Sequence, residues 1–80
     1  MKTFAEMAAE SRKLAVRFRE QAEECRQSAA QCSASADAAK DAHHAAQLER
    51  IAVAMRSESS AAEQLAERFV MHAERQERLV

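Results

Sequence analysis

A small residue recurs at every seventh position of this 80-residue chain, in two separate series. The first series is Ala8, Ala15, Ala22, Ala29 and Ala36, and the second is Ala45, Ala52, Ser59, Ala66 and Ala73. A seven-residue spacing keeps one position on one face of an α-helix, and a small side chain there lets a second helix approach closely. We name this line of ten residues the seam. It predicts closely packed helices and says little about chemistry.

The two series of the seam are mirror images about the middle of the chain. Ala8 and Ala73 lie equally far from the two ends, and so do Ala22 and Ser59. Two antiparallel helices need this symmetry if their small residues are to meet layer by layer. The mirror therefore predicts an antiparallel helical hairpin held together by an Ala-rich heptad seam.

The composition favours an all-α fold in a single domain spanning residues 1–80. The chain contains no Gly and no Pro, the residues that usually build turns. Ala dominates together with Glu, Gln, Arg, Leu and Met, which are good helix formers. No strand-like alternation of apolar and polar residues is present.

Capping signals indicate where the two helices begin and end. Thr3 followed by Glu6 has the spacing of a capping box and starts the first helix. Ser35, Asp37 and Asp41 are candidate N-caps for the second helix. We predict a first helix over about 3–36, a turn over about 37–43 and a second helix over about 44–79.

Two other connectivities are compatible with the mirror. One unbroken helix in an antiparallel dimer would pair the same residues. However, the heptad frame slips by two residues between Ala36 and Ala45, which is not one of the usual coiled-coil insertions and favours the hairpin. Alternatively, Ser60 and Glu63 form a second capping-box pattern that would divide the chain into three helices.

The residues beside the seam predict how large side chains pack. Pairing by the same mirror places Phe18 near Ala62 and Ser11 near Phe69. It also brings Cys25 close to Met55. Large side chains are therefore expected to meet small ones across the interface, as close packing requires.

An alanine seam buries too little apolar surface for a stable monomer. Burial gives ~25 cal/mol per Å², whereas ordering costs ~1.5 kcal/mol per residue. Met7, Leu14, Leu65 and Leu79 flank the seam toward the end that carries both termini. We expect these four residues to mediate self-association into a homodimeric four-helix bundle.

Charge and hydropathy argue against nucleic acid and membrane as partners. The formal charge is −1, from 12 basic and 13 acidic residues spread along the chain without blocks of like charge. No apolar run approaches the ~20 residues that span a bilayer. The first residues do not have the pattern of a signal peptide, so a cytoplasmic protein with reduced cysteines is expected.

Few residues are candidates for chemistry. Cys25, Cys32 and Met55 could line a soft-metal or redox-responsive layer, although small buried residues at these positions would serve packing equally well. His43 and His44 stand close to Asp41, and Asp37, Asp41 and His44 could share a helical face as weak metal ligands, but polar residues are also expected at a hairpin tip. No catalytic motif is present, so we expect neither an enzyme nor a cofactor.

The function that these features favour is a non-enzymatic protein–protein interaction module, such as an adaptor, inhibitor or regulator. Its protein partner has no sequence signature. Two alternatives stay open. The first is a nucleic-acid-associated regulator that uses the basic face from Arg12 to Arg19. The second is the soft-metal or redox-responsive bundle based on Cys25 and Cys32.

Overall fold

Two long helices and a short turn make up the computed structural model of this protein, which describes residues 1–79. Helix α1 runs over Phe4–Ala38 and helix α2 over Ala42–Arg78. They pack antiparallel against each other in a rod of 59 × 16 × 12 Å. No β-strand occurs within residues 1–79. The predicted all-α hairpin is therefore confirmed.

The hairpin excludes both other connectivities. The chain reverses between α1 and α2, so a single unbroken helix is wrong. Helix α2 continues without interruption through residues 57–60, so the three-helix arrangement is wrong as well. Ser57, Ser59 and Ser60 are tolerated because neighbouring Ala and Glu residues favour helix and tertiary packing supports the segment.

The turn is shorter than predicted and comprises residues 39–41. Because no Gly or Pro interrupts it, α1 continues to Ala38 rather than ending near residue 36. Ala39 then adopts an extended conformation (φ −71°, ψ 134°). Asp41 is the N-cap of α2, where its carboxylate accepts a 3.0 Å hydrogen bond from the His43 backbone N–H. Both histidines of the expected tip, His43 and His44, consequently lie in the first turn of α2.

The N-terminus of α1 is capped as the sequence predicts. Thr3 is extended (φ −77°, ψ 163°), and its Oγ1 accepts a 3.1 Å hydrogen bond from the Glu6 backbone N–H. At the other end of the chain, Arg75 and Arg78 lie in the last turn of α2. Positive charge there interacts favourably with the helix dipole.

The seam lies between the two helices. All of its residues are buried except Ala45, which is half-buried beside the turn. Ala22, Ala52 and Ala73 are completely shielded from solvent. Ser11, Ala62 and Gln76 are buried beside the seam. The residues of the core are therefore small, and the helices can pack at close range.

Two contacts define the register between the helices. Ser59 Oγ donates a 2.9 Å hydrogen bond to the backbone carbonyl of Ala22, which confirms the predicted pairing of these residues. The rings of Phe18 and Phe69 stack with centroids 5.6 Å apart and planes 7° from parallel. The expectation that large residues meet small ones is wrong at this layer. The positions beside the seam are offset along the helix axes, so Phe18 reaches Phe69, which lies one heptad after the expected Ala62 on α2.

The rod exposes more surface than a compact protein of its mass. Its Cα radius of gyration is 17.9 Å, against about 12 Å for a compact domain of this length. Its accessible surface is 5946 Å², about 1,100 Å² more than the about 4,800 Å² expected of a folded monomer. Neither helix has a stretch long and apolar enough to cross a membrane.

Candidate functional site

Two long edges border the seam, and they differ in chemistry. Each helical residue advances 100° around the axis, so a residue four after a seam position lies about 40° to one side. A residue one before a seam position, or three after it, lies about 100° or 60° to the other side. Because the helices are antiparallel, equivalent positions of α1 and α2 meet on the same edge.

The edge four residues after the seam is closed by polar contacts between the helices, and we name it the ion-pair edge. Its contacting residues are Arg12, Arg26 and Ser33 in α1, and Arg56, Glu63 and Glu77 in α2. Arg12 binds Glu77 with N–O distances of 2.6 and 2.7 Å. Ser33 accepts a 2.7 Å hydrogen bond from Arg56. Long side chains thus cover the seam along this edge.

Arg26 is the most highly connected residue of the ion-pair edge. It forms ion pairs with Glu23 on its own helix and with Glu63 on α2, and a 3.4 Å hydrogen bond to Ser59. Hydrogen bonding and attraction to Arg26 hold the pKa of Glu23 below its ordinary value. The two carboxylates in turn raise the pKa of the Arg26 guanidinium.

The opposite edge is apolar and uncovered near the termini. We name as the apolar edge the residues Met7, Leu14, Phe18, Leu65, Phe69 and Leu79. Leu14 is 36% exposed, Leu65 38% and Leu79 62%, whereas Met7 and the two Phe side chains are half-buried. The four residues predicted to mediate self-association all lie on this edge. A groove of about 730 Å³, lined by Met1, Phe4 and Met7 among others, continues it at the open end of the hairpin.

One buried polar group lies beside the apolar edge. Gln76 is only 8% exposed, and its Oε1 has no hydrogen-bond partner within residues 1–79. It occupies the same heptad position as Phe69, one heptad nearer the C-terminus. An unsatisfied buried amide costs about 1–3 kcal/mol, so this is an unusual group in so small a core.

The cysteines lie on the apolar side of the seam and are not bonded to each other. Both are free and half-buried, and they are seven residues apart on α1, or about 10.5 Å along its axis. The Sγ atom of Cys25 lies 3.9 Å from Oε2 of Glu58. Met55 is half-buried in α2. The polar contact found for Cys25 is thus with the carboxylate of Glu58.

Some residues of the other predicted polar sites form contacts within the hairpin. Arg12, the first residue of the basic face from Arg12 to Arg19, is paired with Glu77 and is less available to an external anion. Asp41 serves as a helix cap, and His43 contacts Gln47 at 3.4 Å. Within the described part of the chain, no group of three or more His, Cys, Asp or Glu could hold a metal ion.

Sequence reasoning missed the ion-pair edge, although the sequence contains a signal for it. Four residues after the seam, α1 carries Arg12, Arg19 and Arg26, and α2 carries Glu49, Glu63 and Glu77. Opposite charge at equivalent positions of antiparallel helices predicts pairing across their interface. The heptad position of Gln76 does predict that its side chain faces the other helix, but the sequence has no signal for its unpartnered oxygen, because hydrogen-bond partners depend on the register.

Comparison with protein-family models, with curated proteins and with solved structures finds no match to this chain. The geometry of the two edges is therefore the basis for assigning a function.

Proposed function

We propose that this protein is a non-enzymatic protein–protein interaction module that binds through its apolar edge, and that a second copy of the chain is the partner seated there. The observation that carries this proposal is the uncovered row of Leu14, Leu65 and Leu79 beside a seam made of small residues. A hairpin with little apolar surface in its own core gains stability when that row is buried.

The amount of exposed surface supports association. The hairpin exposes about 1,100 Å² more than a compact monomer of its mass. A standard protein interface buries about 800 Å² on each partner. One such interface would therefore bring the surface of this chain close to that of an ordinary folded protein.

Charge favours a second copy as the occupant of the apolar edge. Among the residues three after or one before a seam position, Glu58 is the only one that carries a formal charge. A nearly neutral apolar surface can face itself across a two-fold axis without bringing like charges together. On the ion-pair edge, by contrast, Arg12 and Arg26 are paired with Glu77 and Glu63 within one hairpin. Two hairpins joined by their apolar edges form a four-helix bundle.

The proposal assigns the chain a binding role, as an adaptor, inhibitor or regulator acting on another protein in the cytoplasm. A reducing compartment suits its two free thiols. The exposed outer faces of the four-helix assembly would then be available to that protein. No observation favours the nucleic-acid or the metal-binding alternative, since Arg12 is paired with Glu77 and Cys25 contacts Glu58.

Sedimentation equilibrium tests the proposal. We expect the wild-type chain to be a dimer at micromolar concentration, and the double variant Leu14→Ser/Leu65→Ser to have its dissociation constant raised at least about a hundredfold. A matched control exists in Val16→Ser/Val53→Ser, because both valines are exposed, at 51% and 59%, and lie one residue after the seam, away from the apolar edge. This control should dimerise like the wild type. A folded wild-type monomer at about 100 µM, well above ordinary dimer dissociation constants, would overturn the proposal.

A further inference from the structure

The side chain of Gln76 is the one buried polar group in the described residues whose oxygen lacks a partner. Gln76 follows the seam residue Ala73 by three positions and therefore lies on the apolar side of the interface. Phe69 occupies the same heptad position one heptad earlier, and the C-terminal end of α2 lies on the other side of Gln76. A polar amide thus interrupts an otherwise apolar row.

The register places Gln76 in the middle of the residues proposed to self-associate. Because Phe18 stacks on Phe69, moving one heptad toward the termini brings Ser11 opposite Gln76. Both of these residues are buried. Met7 and Leu79 lie closer to the termini than this layer, and Leu14 and Leu65 lie further from them. The polar layer is therefore flanked by apolar residues on both sides.

We propose that Gln76 marks the two-fold axis of the homodimer, where its amide pairs reciprocally with the amide of Gln76 in the second copy. This inference rests on the proposed self-association. A primary amide offers a donor and an acceptor, so two amides related by a two-fold axis satisfy each other. The last side-chain torsion of Gln is broad, and rotation about it turns the oxygen toward the second copy.

A two-fold axis at Gln76 determines which parts of the hairpins overlap. The apolar residues between Phe4 and Leu14 of one copy then face those near Phe18 and Leu65 of the other. The tips of the two hairpins point in opposite directions and protrude beyond the overlap. In coiled coils, a single polar residue in an apolar interface fixes the register and the number of helices. Gln76 is expected to act in the same way here.

Disulfide cross-linking measures the position of the axis. On a Cys25→Ser/Cys32→Ser background, Gln76→Cys is compared with Gln21→Cys, which lies on the same edge. Counted from the Ala22–Ser59 contact, position 21 is about 16 residues further along the rod. With the axis at Gln76, the two new thiols at that position meet, whereas those at position 21 are about 48 Å apart. A disulfide requires a Cα–Cα spacing of about 4.4–6.8 Å. In the presence of oxidised glutathione, we therefore expect the Gln76→Cys chains to cross-link at least about tenfold faster than the Gln21→Cys chains.

The outcomes separate this inference from the self-association on which it rests. If the wild type is a dimer but Gln21→Cys links as fast as Gln76→Cys or faster, the axis lies elsewhere and the inference is overturned, while self-association stands. The inference is likewise overturned if the wild type is a dimer and neither variant links. If the wild type is a folded monomer, the proposed function itself fails.

A charge-swap experiment gives an independent readout. Gln76→Glu and Gln76→Lys each place like charges together at the axis, so each variant alone should dimerise at least about tenfold more weakly than the wild type. Mixed in equal amounts, the two variants should form a heterodimer and regain the helicity and sedimentation of the wild type. If the mixture behaves as the sum of its components, whether those are folded or not, Gln76 does not face its counterpart and the inference is overturned.

Discussion

Ser59 Oγ donates a 2.9 Å hydrogen bond to the carbonyl oxygen of Ala22, so a side chain of α2 contacts the backbone of α1 at the middle of the seam. This contact is possible only because Ala22, which is completely buried, keeps the two helices close together. The small residue and the interhelical hydrogen bond therefore depend on each other.

The first prediction concerns the space available at this layer. Ala22→Leu inserts a large side chain where the helices touch, so we expect it to destabilise the fold by about 1–3 kcal/mol or more. Ala30→Leu is the matched control, because Ala30 is an exposed residue of the same helix and Leu is a good helix former there. Thermal unfolding followed by circular dichroism should show a large fall in Tm for the first variant only. Equal Tm values for the two variants would show that the seam does not limit helix approach.

The second prediction concerns the hydrogen bond itself. Ser59→Ala keeps a small residue in the seam and removes the 2.9 Å bond to Ala22 together with the longer 3.4 Å bond from Arg26, so the expected loss is about 0.5–1.5 kcal/mol. Ser57→Ala removes an exposed hydroxyl from the same helix and should be neutral or slightly stabilising, since Ala has the higher helix propensity. Urea unfolding of both variants measures the difference. If Ser59→Ala is as stable as Ser57→Ala, the hydrogen bond contributes nothing.

The third prediction concerns the stacked rings of Phe18 and Phe69. A double-mutant cycle with Phe18→Leu and Phe69→Leu should give a coupling free energy of about 0.5–1.5 kcal/mol, because aromatic pairs contribute this much beyond the area they bury. Replacement of Phe18 together with the distant Phe4 should be additive. Additivity in the Phe18–Phe69 cycle as well would contradict the stacking.

The fourth prediction concerns the N-cap of α2. Asp41→Ala removes the acceptor for the His43 N–H and should cost about 0.5–2 kcal/mol. Asp37→Ala provides a control of opposite sign, because Asp37 lies in the last turn of α1, where a negative charge interacts unfavourably with the helix dipole. Its removal should raise Tm slightly. A similar loss in both variants would show that Asp41 does not act as a specific cap.

The fifth prediction concerns the pH dependence of the ion-pair edge. The pKa of Glu23 is lower in the folded state than its ordinary value, because the carboxylate is bound to Arg26. The stabilisation by Glu23 is therefore fully present above the ordinary pKa of a glutamate and is lost as the pH falls through the lowered one. The Tm of Glu23→Gln should lie below that of the wild type at about pH 7, and this gap should close in acid. Glu24→Gln, which removes the neighbouring exposed carboxylate, should show a smaller gap at pH 7. A gap for Glu23→Gln that persists unchanged in strong acid would contradict the assignment.

Particular residues show how far the sequence could predict this molecule. The pairing of Ala22 with Ser59 follows from the mirror in the seam, because small residues at a seven-residue spacing allow only a few ways of bringing two helices together. The cap at Thr3 follows from its spacing to Glu6. The predicted end of α1 lies two residues early, because an Ala-rich segment contains no local signal that stops a helix.

Other features could not be predicted without knowing the register between the helices and the side-chain conformations. The stacking of Phe18 on Phe69 depends on how far the positions beside the seam are offset along the two helices. The mirror symmetry of the small residues does not predict this offset. The contact of Cys25 with Glu58 has the same origin. Arg26 could reach several acidic residues, and its selection of Glu23 and Glu63 depends on a flexible side chain in its folded surroundings.

The antiparallel pairing of two helices through a line of small residues follows from the sequence alone, because that pattern permits close packing along one face only. Which side of that line is closed and which is open depends on the folded arrangement. Arginines and glutamates four residues after the seam meet across one edge, while Leu14, Leu65 and the amide of Gln76 lie along the other. A heptad pattern defines the faces of each helix, but the rotation and stagger of one helix against the other decide which faces meet.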